Sequence, residues 1–346
     1  MDHTYVLHED LSYVANVTFI DWSALAHKTF FITGATGLIG GMLIKSLNYV
    51  NKVKNLDMRL LALVRDKQNA EDKFVDILAD GILQFVVGNV EELPQVQGKV
   101  DYIIHAASQT SSKEFVNHAV ETIQTTLLGT MNTLKLAKEK NVQGYVYLSS
   151  MEVYGYPEKG HKVTEKDNGR INSLDIRNSY PMGKVLSESL CCAYAGEYGV
   201  PAKICRLTQT FGPGVNYNDN RIFAYFGKCV KEKKNIVLKT KGETERCYLY
   251  ATDAATAILT ILLKGKTGMA YNAADESTYC SIAEMGERVA SEFDIKVEYD
   301  IQDVAANGFL NTLYMDLDTI ALRKLGWKPQ GYSLVEMYRR MIGEWD

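Results

Sequence analysis

The sequence predicts an α/β protein, built on a doubly wound parallel sheet with a smaller, interleaved α/β C-terminal lobe. Short apolar runs alternate with stretches of helical periodicity from residue 28 to about residue 210. This is the pattern of a parallel sheet covered by helices on both faces, and right-handed crossovers then produce the doubly wound order. A glycine-rich turn between the first apolar run and the first helical stretch supports the same fold.

Three segments follow from this rhythm. Residues 1–27 precede the first clear strand, and we expect them to form a short amphipathic helix lying on the body. Residues 28–210 form the predicted sheet domain, and residues 211–346 form the lobe, with a soft boundary between the two. The predicted strands of the sheet domain are residues 29–33, 59–64, 83–87, 101–105, 144–149 and 202–207. The predicted helices between them are residues 41–51, 67–79, 113–118, 121–140 and 180–198.

The alternation weakens in the lobe, where Gly212-Pro213-Gly214 and a polar stretch interrupt it. Glycine and proline are the residues that most often punctuate regular structure. The helices predicted for the lobe are residues 222–234, 252–264 and 281–293, and its predicted strands are residues 236–239, 270–272 and 297–299.

Length and composition are those of an ordinary globular protein. A chain of 346 residues buries enough surface to need no disulfide or metal to hold it together. Hydrophobic residues make up 46% and charged residues 23%, which excludes a disordered, collagen-like or coiled-coil protein. The net charge of −4 argues against a protein that holds nucleic acid on a broad basic face.

The cysteines and the N-terminal residues indicate where the protein works. The six cysteines lack C-x-x-C spacing, so we expect reduced, mostly buried thiols. No run approaches the length of about 18 apolar residues that marks a membrane helix, and the first residues are acidic where a secretory signal is basic. We therefore expect a cytoplasmic protein that binds no membrane. Neither cysteines nor histidines show ligand spacing, so we predict no metal site.

The glycine-rich turn reads TGATGLIG over residues 33–40. Glycines let the backbone turn tightly and approach a pyrophosphate, whose charge the N-terminus of the following helix stabilises. Any tight strand–helix turn favours glycine, but the position of this one in a β-α-β unit favours dinucleotide binding. The residues predicted to hold the phosphates are Gly34, Thr36, Gly37, Leu38, Ile39 and Gly40.

The ends of the next strands complete the predicted cofactor site. Asp66 after the second strand suits the ribose hydroxyls of NAD, whereas Arg65 suits the additional phosphate of NADP. NAD is the main expectation, NADP stays open, and two solvated loop charges are a third interpretation. The residues predicted at the adenine edge and beside the cofactor, after the third and fourth strands, are Asn89, Val90, Ala106, Ala107 and Ser108.

Tyr180 and Lys184 stand one helical turn apart in the motif YPMGK. A tyrosine, with an ordinary pKa of about 10, is a poor base at neutral pH unless a nearby cation stabilises its phenolate. The lysine supplies such a cation and is also placed to hold the nicotinamide ribose, where Tyr180 lies too. Ser150 ends a preceding strand and is expected in the same crevice, because the carboxyl ends of parallel strands share one edge. Its hydroxyl would bond the oxygen whose proton the phenolate takes.

These residues resemble the motifs of extended short-chain dehydrogenases/reductases, in the branch of nucleotide-sugar epimerases, dehydratases and decarboxylases. The resemblance extends over roughly residues 28–340, nearly the whole chain. The motifs that carry it are TGATGLIG, HAAS, SSMEVYG, YPMGK, Arg206 with Thr210-Phe211-Gly212-Pro213, the stretch from Arg246 to Asp253, and LGWKP.

The resemblance implies a Rossmann domain, a lobe that grips a nucleotide diphosphate sugar, and transient oxidation of the sugar at C4 by a retained NAD(P). It implies Ser150 as the catalytic hydroxyl, Tyr180 as the base and Lys184 as its helper. It also implies a homodimer in which helices 113–140 and 180–198 pair across a two-fold axis.

Substrate contacts are implied in the same way. Arg221 and Arg246 are candidates for the diphosphate because a guanidinium fork matches phosphate oxygens; surface ion pairing is the alternative interpretation. Gln209 and Thr126 stand where relatives usually carry asparagine, and the longer amide of Gln209 makes similar hydrogen bonds. The residues expected to contact the substrate are Ser108, Ser150, Gln209, Arg221 and Arg246.

Glu152 bears on the step that follows C4 oxidation, as a fourth catalytic candidate. Hexose 4,6-dehydratases of this type mostly carry Thr-Asp-Glu where this chain has Ser150-Met151-Glu152, and Met151 cannot donate a proton. UDP-glucuronate decarboxylases carry Thr-Ser-Glu there, and their NDxR stretch matches Asn218 to Arg221. Simple 4-epimerases usually have a small neutral residue at the position of Glu152. Capping of a nearby backbone group, or binding of a sugar hydroxyl, is the alternative role of this carboxylate.

The resemblance therefore favours a UDP-glucuronate decarboxylase-like enzyme, a lyase with internal redox chemistry whose partner is a nucleotide sugar. A 4,6-dehydratase or a 4-epimerase, which is an isomerase, is the alternative. An NADPH-dependent carbonyl reductase, which Arg65 would suit, and a non-catalytic cofactor sensor are further alternatives. The intact set of Ser150, Tyr180 and Lys184 argues against the sensor.

Overall fold

The strands predicted for the sheet domain are all present in the computed structural model, which describes residues 3–109, 112–302 and 312–345. Residues 1–2 of the predicted N-terminal segment, and residues 303–311 and 346 of the predicted lobe, lie outside the described residues. The strands are β1 Thr29–Thr33, β2 Arg59–Val64, β3 Leu83–Val87, β4 Tyr102–His105, β5 Gly144–Ser150, β6 Lys162–Val163, β7 Ala202–Leu207, β8 Gln209–Phe211, β9 Ile236–Leu238, β10 Glu245–Tyr250, β11 Ala270–Ala273, β12 Asp275–Ser281, β13 Val297–Tyr299 and β14 Tyr314–Leu317.

Helices connect these strands at nearly every crossover. They are α1 His3–Asn16, α2 Leu38–Lys54, α3 Lys67–Lys73, α4 Ser112–Asn117, α5 Ala119–Lys140, α6 Ser179–Tyr198, α7 Ile222–Lys231, α8 Ala251–Lys264, α9 Ile282–Glu292, α10 Ile320–Arg323 and α11 Leu334–Gly343. Short 3₁₀ helices span Trp22–Leu25, Leu78–Asp80, Met151–Tyr154 and Ile176–Asn178. Among the described helices, none has the length and apolar character needed to cross a membrane.

Seven strands form a large, entirely parallel sheet in the order β11-β7-β5-β4-β1-β2-β3. The order reverses between β1 and β4, so a crevice opens at their carboxyl ends, where doubly wound folds bind ligands. Phe30, Phe31 and Ile32 of β1 are all fully buried, because helices cover both faces of the sheet. The predicted fold class is confirmed.

Each face of the sheet has its own apolar core. On one face, α2 and α8 pack on the strands through residues such as Leu43, Leu47 and Ile258. On the other face, α5 and α6 pack side by side, with Leu134 and Cys191 buried against the strands. The sites at the carboxyl edge therefore rest on strands that are held from both sides.

The N-terminal segment forms the expected amphipathic helix, α1. Leu11 and Val14 are buried against the core that α2 and α8 share. Asp10 of α1 is fully buried and accepts hydrogen bonds from Tyr250 Oη at 2.5 Å and from Arg340 Nη1 at 2.9 Å. The hydrogen bonds of Asp10 fasten α1 to β10 and α11 of the lobe, whereas Leu11 and Val14 hold it to the sheet domain.

The lobe is built around a second sheet in the order β12-β10-β14-β6, with β8 beside β10. A single residue, Thr208, separates β7 of the large sheet from β8 of the second. The chain thus passes directly from the carboxyl edge of the large sheet into the lobe. Strand β6 precedes β7 in the chain and still pairs with β14, so the two sheets are interleaved.

Two predicted elements occupy other places than expected. The strand predicted over 270–272 was assigned to the lobe, but β11 pairs with β7 at the edge of the large sheet. The predicted lobe helix 252–264, observed as α8, packs on the large sheet. Short apolar strands of both sheets have similar compositions, so the alternation of strands and helices along the chain does not indicate which sheet a strand will join. Predicted helix 67–79 is shorter, because α3 ends at Lys73.

Candidate active site

The glycine-rich turn lies at the crevice between β1 and β4, against the backbone that follows β4. Gly34 has φ +65°, and a Cβ there would lie 2.6 Å from the carbonyl of Ala106, so a side chain would force the two segments apart. Helix α2 begins at Leu38 after Gly37, whose lack of a side chain leaves the first amides of α2 uncapped. Uncapped amides at a helix N-terminus bind anions. The turn therefore fits the pyrophosphate of a dinucleotide.

A lysine that no motif indicated also reaches this turn. Lys73 of α3 donates from Nζ to the carbonyl oxygen of Thr36 at 2.8 Å. Burial lowers the pKa of Lys73, and the neighbouring Lys45 lowers it further. A cation against the turn adds to the attraction that the helix N-terminus exerts on phosphate.

Thr33 and His105 tie the ends of β1 and β4 together. The hydroxyl of Thr33 accepts from the amides of Ala106 and Ala107 at 3.2 and 3.1 Å, so its own proton goes to Nδ1 of His105 at 2.8 Å. His105 therefore carries its proton on Nε2, which is buried and has no hydrogen-bond partner among the described residues. Burial, with a contribution from Lys184, lowers the pKa of His105 to about 3. The ring is therefore neutral. It orients the hydroxyl of Thr33, which in turn holds the backbone of the small residues after β4.

The two charged candidates after β2 are both exposed. Asp66 is the N-cap of α3, and its Oδ1 accepts from the amide of Asn69 at 3.1 Å. Its second carboxylate oxygen stays available for a ribose hydroxyl. Arg65 lies beside it, so this position by itself offers both a carboxylate for the ribose of NAD and a guanidinium for the additional phosphate of NADP.

The candidates after β3 and β4 differ in exposure. Asn89 is exposed and its side chain bonds Glu91 at 2.9 Å, whereas Val90 is buried. Ser108 lies past β4 and donates to the carbonyl of Gln109 at 3.2 Å. These residues line the same edge of the sheet as the glycine-rich turn, as the sequence predicted.

Tyr180 and Ser150 meet at the carboxyl edge of β5. The ring of Tyr180 stacks on Phe115, with centroids 4.3 Å apart and planes within 3°. Burial raises the pKa of Tyr180, and the carboxylate of Glu152 raises it further, while a hydrogen bond with the Ser150 side chain acts in the opposite direction. The structure thus brings together the hydroxyl and the phenol that the sequence placed in one crevice.

Lys184 lies close to Tyr180, and its ammonium group bonds the backbone of strand β5. Its Nζ is buried, donates to the carbonyl of Leu148 at 2.7 Å, and lies 5.5 Å from the centroid of the Tyr180 ring. Burial lowers the pKa of Lys184 to about 7. The cations that lower the pKa of Tyr180 are Arg221 and Arg177. Two arginines therefore add positive charge near the phenol, besides the lysine that the one-turn spacing indicated.

Glu152 faces Arg177 across the crevice. Nη1 of Arg177 donates to Oε2 of Glu152 at 3.4 Å, and the guanidinium lies 5.0 Å from the ring of Phe115. The amide of Glu152 donates to Oγ of Ser150 at 3.2 Å, so one 3₁₀ turn carries both side chains. Sequence reasoning missed Arg177 and Phe115. The available signal was an arginine three residues before Tyr180.

Met151, between the two candidate catalytic residues, has a buried side chain. It is buried in the lobe's apolar cluster with Cys247 and Met315, and its sulfur lies 3.4 Å from the hydroxyl of Thr208, which donates to the carbonyl of Cys247 at 2.6 Å. The turn that presents a hydroxyl and a carboxylate to the crevice therefore presents no third polar side chain at this position.

Three of the five residues expected to contact the substrate occur in two side-chain pairs, Arg246 with Gln209 and Arg221 with Asp219. Nη1 of Arg246 on β10 donates to Oε1 of Gln209 on β8 at 2.8 Å, and its buried Nε has no partner among the described residues. Arg221 makes a bidentate pair with Asp219, with Nη2 2.6 Å from Oδ2. The ion pairing raised as an alternative for Arg221 is present, and Arg221 still lies close enough to Tyr180 to lower its pKa.

Comparison with known proteins identifies the family. The model of the NAD dependent epimerase/dehydratase family matches residues 30–274, more than two thirds of the chain. The chain belongs to the NAD-dependent epimerase/dehydratase family. Membership confirms the resemblance to extended short-chain dehydrogenases/reductases and the expectation of NAD as the cofactor.

The individual relatives of this chain share less than a third of its residues over the matched region. UDP-glucuronic acid decarboxylase 1 of Xenopus tropicalis is 28% identical over 239 residues, which cover 68% of this chain and 53% of that protein. This chain therefore spans about half the length of that relative.

Two solved structures show the same fold over nearly the whole chain. UDP-N-acetylglucosamine 4-epimerase of Methanobrevibacter ruminantium has a TM-score of 0.77 at 18% identity, with 92% of this chain and 98% of that chain covered. The dTDP-glucose 4,6-dehydratase of Streptomyces venezuelae, solved with NAD, has a TM-score of 0.75 at 22% identity, with 90% and 96% covered.

A buried ion pair supports the epimerase/dehydratase site from behind, and sequence reasoning missed it. Glu188, one turn after Lys184, accepts from Arg206 at 2.9 and 2.6 Å and from the hydroxyl of Ser149 at 2.6 Å. Arg206 also donates to the hydroxyl of Tyr154 at 2.9 Å. The network joins β5, α6 and β7 directly behind the crevice, and its bidentate geometry holds these elements in register.

Proposed function

We propose that the protein is an NAD-dependent enzyme that transiently oxidises C4 of a nucleotide diphosphate sugar, with decarboxylation of UDP-glucuronate or a similar hexuronate as its overall reaction. The observation that carries the proposal is the cluster at the end of β5, where Ser150, Glu152 and Tyr180 meet above the buried Lys184. Membership of the family and the decarboxylases among its relatives support it.

Tyr180 and Ser150 handle the oxygen at C4. The glycine-rich turn would hold NAD, which would supply a hydride acceptor for the oxidation of C4 and the hydride for its later reduction. Ser150 hydrogen-bonds the C4 oxygen and Tyr180 removes its proton. Because burial raises the pKa of Tyr180, the phenolate depends on the nearby charges of Arg177 and Arg221.

The second step follows from the ketone at C4. In a hexuronate this ketone makes the C6 carboxylate a β-keto acid, so the C5–C6 bond breaks, CO₂ leaves, and the bonding electrons move towards the C4 oxygen. The hydroxyls of Ser150 and Tyr180 stabilise the negative charge that develops there. C5 keeps its own hydrogen and gains a second proton from water, and reduction of C4, with return of the proton from Tyr180 to the C4 oxygen, completes the reaction.

The same site is less suited to a dehydration than to a decarboxylation. A 4,6-dehydration needs a base for the C5 proton and an acid for the leaving hydroxyl at C6. Glu152 faces the crevice, but Met151 is buried in the lobe's apolar cluster. This arrangement favours decarboxylation over dehydration.

Mass analysis of a nucleotide-sugar panel tests the proposal. The protein, supplied with NAD, is incubated with UDP-glucuronate, UDP-glucose, dTDP-glucose and UDP-N-acetylglucosamine. We expect UDP-glucuronate to lose CO₂. Loss of water from a hexose substrate would instead establish a dehydratase, and an isomer of unchanged mass would establish an epimerase. Steady consumption of free NADPH by a simple carbonyl compound would show a reductase.

We also propose that the protein is a homodimer that pairs through α5 and α6. These helices lie side by side and expose apolar side chains at helical spacing, with exposed fractions between 38% and 63%. Contiguous apolar surface of this kind marks protein–protein contact sites. The exposed apolar residues are Val120, Ile123, Leu128, Met131, Val185 and Leu186.

We infer a cytoplasmic location from the cysteines. All six are free thiols, and five of them are buried. Thiols persist in the reduced state in the cytosol, whereas oxidising compartments favour disulfides. Imaging of the tagged full chain in its host cell tests this inference, and a secreted or periplasmic signal would contradict it.

A further inference from the structure

Arg177 lies within the crevice although it belongs to a surface turn. Its side chain is only 17% exposed, because the turn folds inward before α6. Its guanidinium lies 5.0 Å from the ring of Phe115, and the same ring stacks on Tyr180 at 4.3 Å. The charge is therefore one ring away from the phenol, and it lowers the pKa of Tyr180.

The guanidinium of Arg177 has few partners for so enclosed a charge. Among the described residues it makes one hydrogen bond, from Nη1 to Oε2 of Glu152 at 3.4 Å, which is beyond the usual range for a strong contact. A guanidinium carries five N–H donors in a fixed fork. A largely buried charge with most donors unpaired is costly to a protein that gains nothing from it.

Of the other two arginines of the site, Arg221 is more fully engaged, whereas Arg246 makes one side-chain hydrogen bond among the described residues and lies on β10 of the lobe. Arg221 forms a bidentate pair with Asp219, and Arg246 is held by Gln209 on the neighbouring strand. Arg177 is thus the cation near Tyr180 whose donors are best placed for an anionic group of a ligand. Its fork matches the geometry of a carboxylate.

We propose that Arg177 recognises the C6 carboxylate of the sugar and selects nucleotide hexuronates over the corresponding hexoses. The inference rests on the proposed function for one point, the placement of sugar C4 at Tyr180. C6 is attached to C5, the neighbour of C4, so its carboxylate lies close to the oxygen that Tyr180 contacts, and Arg177 is separated from Tyr180 by the single ring of Phe115. The contact with Glu152 orients the guanidinium and leaves its remaining donors for the substrate.

Titration calorimetry on the NAD-loaded protein tests the selection directly. We expect the parent to bind UDP-glucuronate at least about tenfold more tightly than UDP-glucose, a difference of about 1.4 kcal/mol. Arg177→Gln should remove this preference and leave the affinity for UDP-glucose within about twofold, because only the carboxylate contact is lost. Arg177→Lys keeps the charge without the fork and should retain part of the preference.

Arg170→Gln is the matched control, because Arg170 is an exposed arginine seven positions earlier on the same segment. It should keep the full preference for the hexuronate. Thermal unfolding and UDP-glucose binding of each variant establish that it is folded. A variant Arg177→Gln that binds UDP-glucose normally and still prefers UDP-glucuronate would overturn the inference, as would equal affinities in the parent protein.

Release of CO₂, measured on the same proteins, separates this inference from the proposed function. Loss of the preference in Arg177→Gln, together with a parent that releases no CO₂, supports carboxylate recognition and rejects decarboxylation. Release of CO₂ by a parent whose Arg177→Gln variant retains the preference supports decarboxylation and rejects the role of Arg177.

Discussion

Tyr180 is surrounded by features that oppose its ionisation as well as by cations that favour it. Burial and Glu152 raise the pKa of its phenol, and Arg221 and Arg177 lower it. The pKa of a tyrosine base therefore depends on the balance of burial and of all the charges around it, and not on the nearby lysine alone.

Replacement of Tyr180 by phenylalanine isolates its proton transfer. Tyr180→Phe keeps the stacking on Phe115 and removes only the hydroxyl. We expect kcat on the sugar nucleotide to fall by about 10²–10⁴-fold, the usual contribution of a general base, with the affinities for NAD and UDP unchanged. Turnover at the parent rate would show that another group removes the proton.

His105 links the site to acid stability. Its pKa is lowered from 6.5 to about 3 by burial and by Lys184, so the unfolded chain binds a proton in that interval that the folded protein does not. The neutral ring contributes its full stability above pH 6.5, and this contribution is lost as the pH falls towards 3. We expect the parent to lose about 1.4 kcal/mol of unfolding free energy per pH unit below pH 6 from this residue alone.

Urea unfolding between pH 7 and pH 5 checks the role of His105. The variant His105→Gln lacks the titrating ring and should show a shallower loss of stability over this interval. The buried Asp10 has its pKa raised to about 6 and is the same in both proteins, so it cancels in the comparison. Parallel curves for the two proteins would show that His105 does not titrate on unfolding.

At the scale of the elements, the turn from β1 into α2 needs glycine for two separate reasons. Gly34 has φ +65°, and a Cβ would lie 2.6 Å from the Ala106 carbonyl. Gly98 has a similar φ of +76° but nothing within 4 Å of its would-be Cβ. A side chain introduced at either position would therefore strain the backbone, and only a side chain at Gly34 would also clash with a neighbouring segment.

The variants Gly34→Ala and Gly98→Ala separate these two effects. Both should lose about 1 kcal/mol of stability from the left-handed conformation. Gly34→Ala should also weaken NAD binding by at least about tenfold, because the turn must move away from β4. Fluorescence titration with NAD measures the difference. Equal NAD affinities in the two variants would show that the turn tolerates the added methyl group.

Helix α1 depends on a buried ion pair. Arg340 of α11, whose side chain is 6% exposed, pairs with the fully buried Asp10. Arg340→Met leaves that carboxylate unpaired, and we expect a loss of about 3–5 kcal/mol in the free energy of unfolding at pH 7.5. Arg339→Met, which removes a more exposed pair with Glu292, should cost no more than about 1 kcal/mol. Equal losses in urea unfolding would contradict the assignment.

The sequence predicted the elements of the sheet domain closely because each of them has a local signature. Strands such as 59–64 and 202–207 are apolar runs of the length of one strand, and they occur at the predicted bounds. Placement of β11 failed for a physical reason. It joins β7 through backbone hydrogen bonds. The sequence of a four-residue strand does not specify which neighbouring strand will pair with it.

At the scale of the whole molecule, exposed apolar residues lie on α5 and on α6, the helix that carries Tyr180 and Lys184. Leu186 is 49% exposed and stands two positions after Lys184. Pairing of two copies through these helices would bury these side chains and stiffen the helix that bears the site.

Light scattering after size-exclusion chromatography tests the dimer. We expect the parent to elute at twice the mass of one chain. Leu186→Lys places a charge in the contact and should shift the protein to the monomer mass, whereas Lys266→Glu, an exposed change outside α5 and α6, should leave the dimer intact. A monomeric parent at micromolar concentration would reject the homodimer.

The sequence by itself determined the parallel sheet, the glycine-rich turn and the one-turn spacing of Tyr180 and Lys184, because periodicity and short-range spacing act within one element. Only the tertiary structure decided that Arg177 faces Glu152, that Asp10 pairs with Arg340, and that Met151 turns into the lobe. The physical reason is that these contacts join different elements, in one case 330 positions apart. Their energies depend on how the elements pack, which no local pattern specifies.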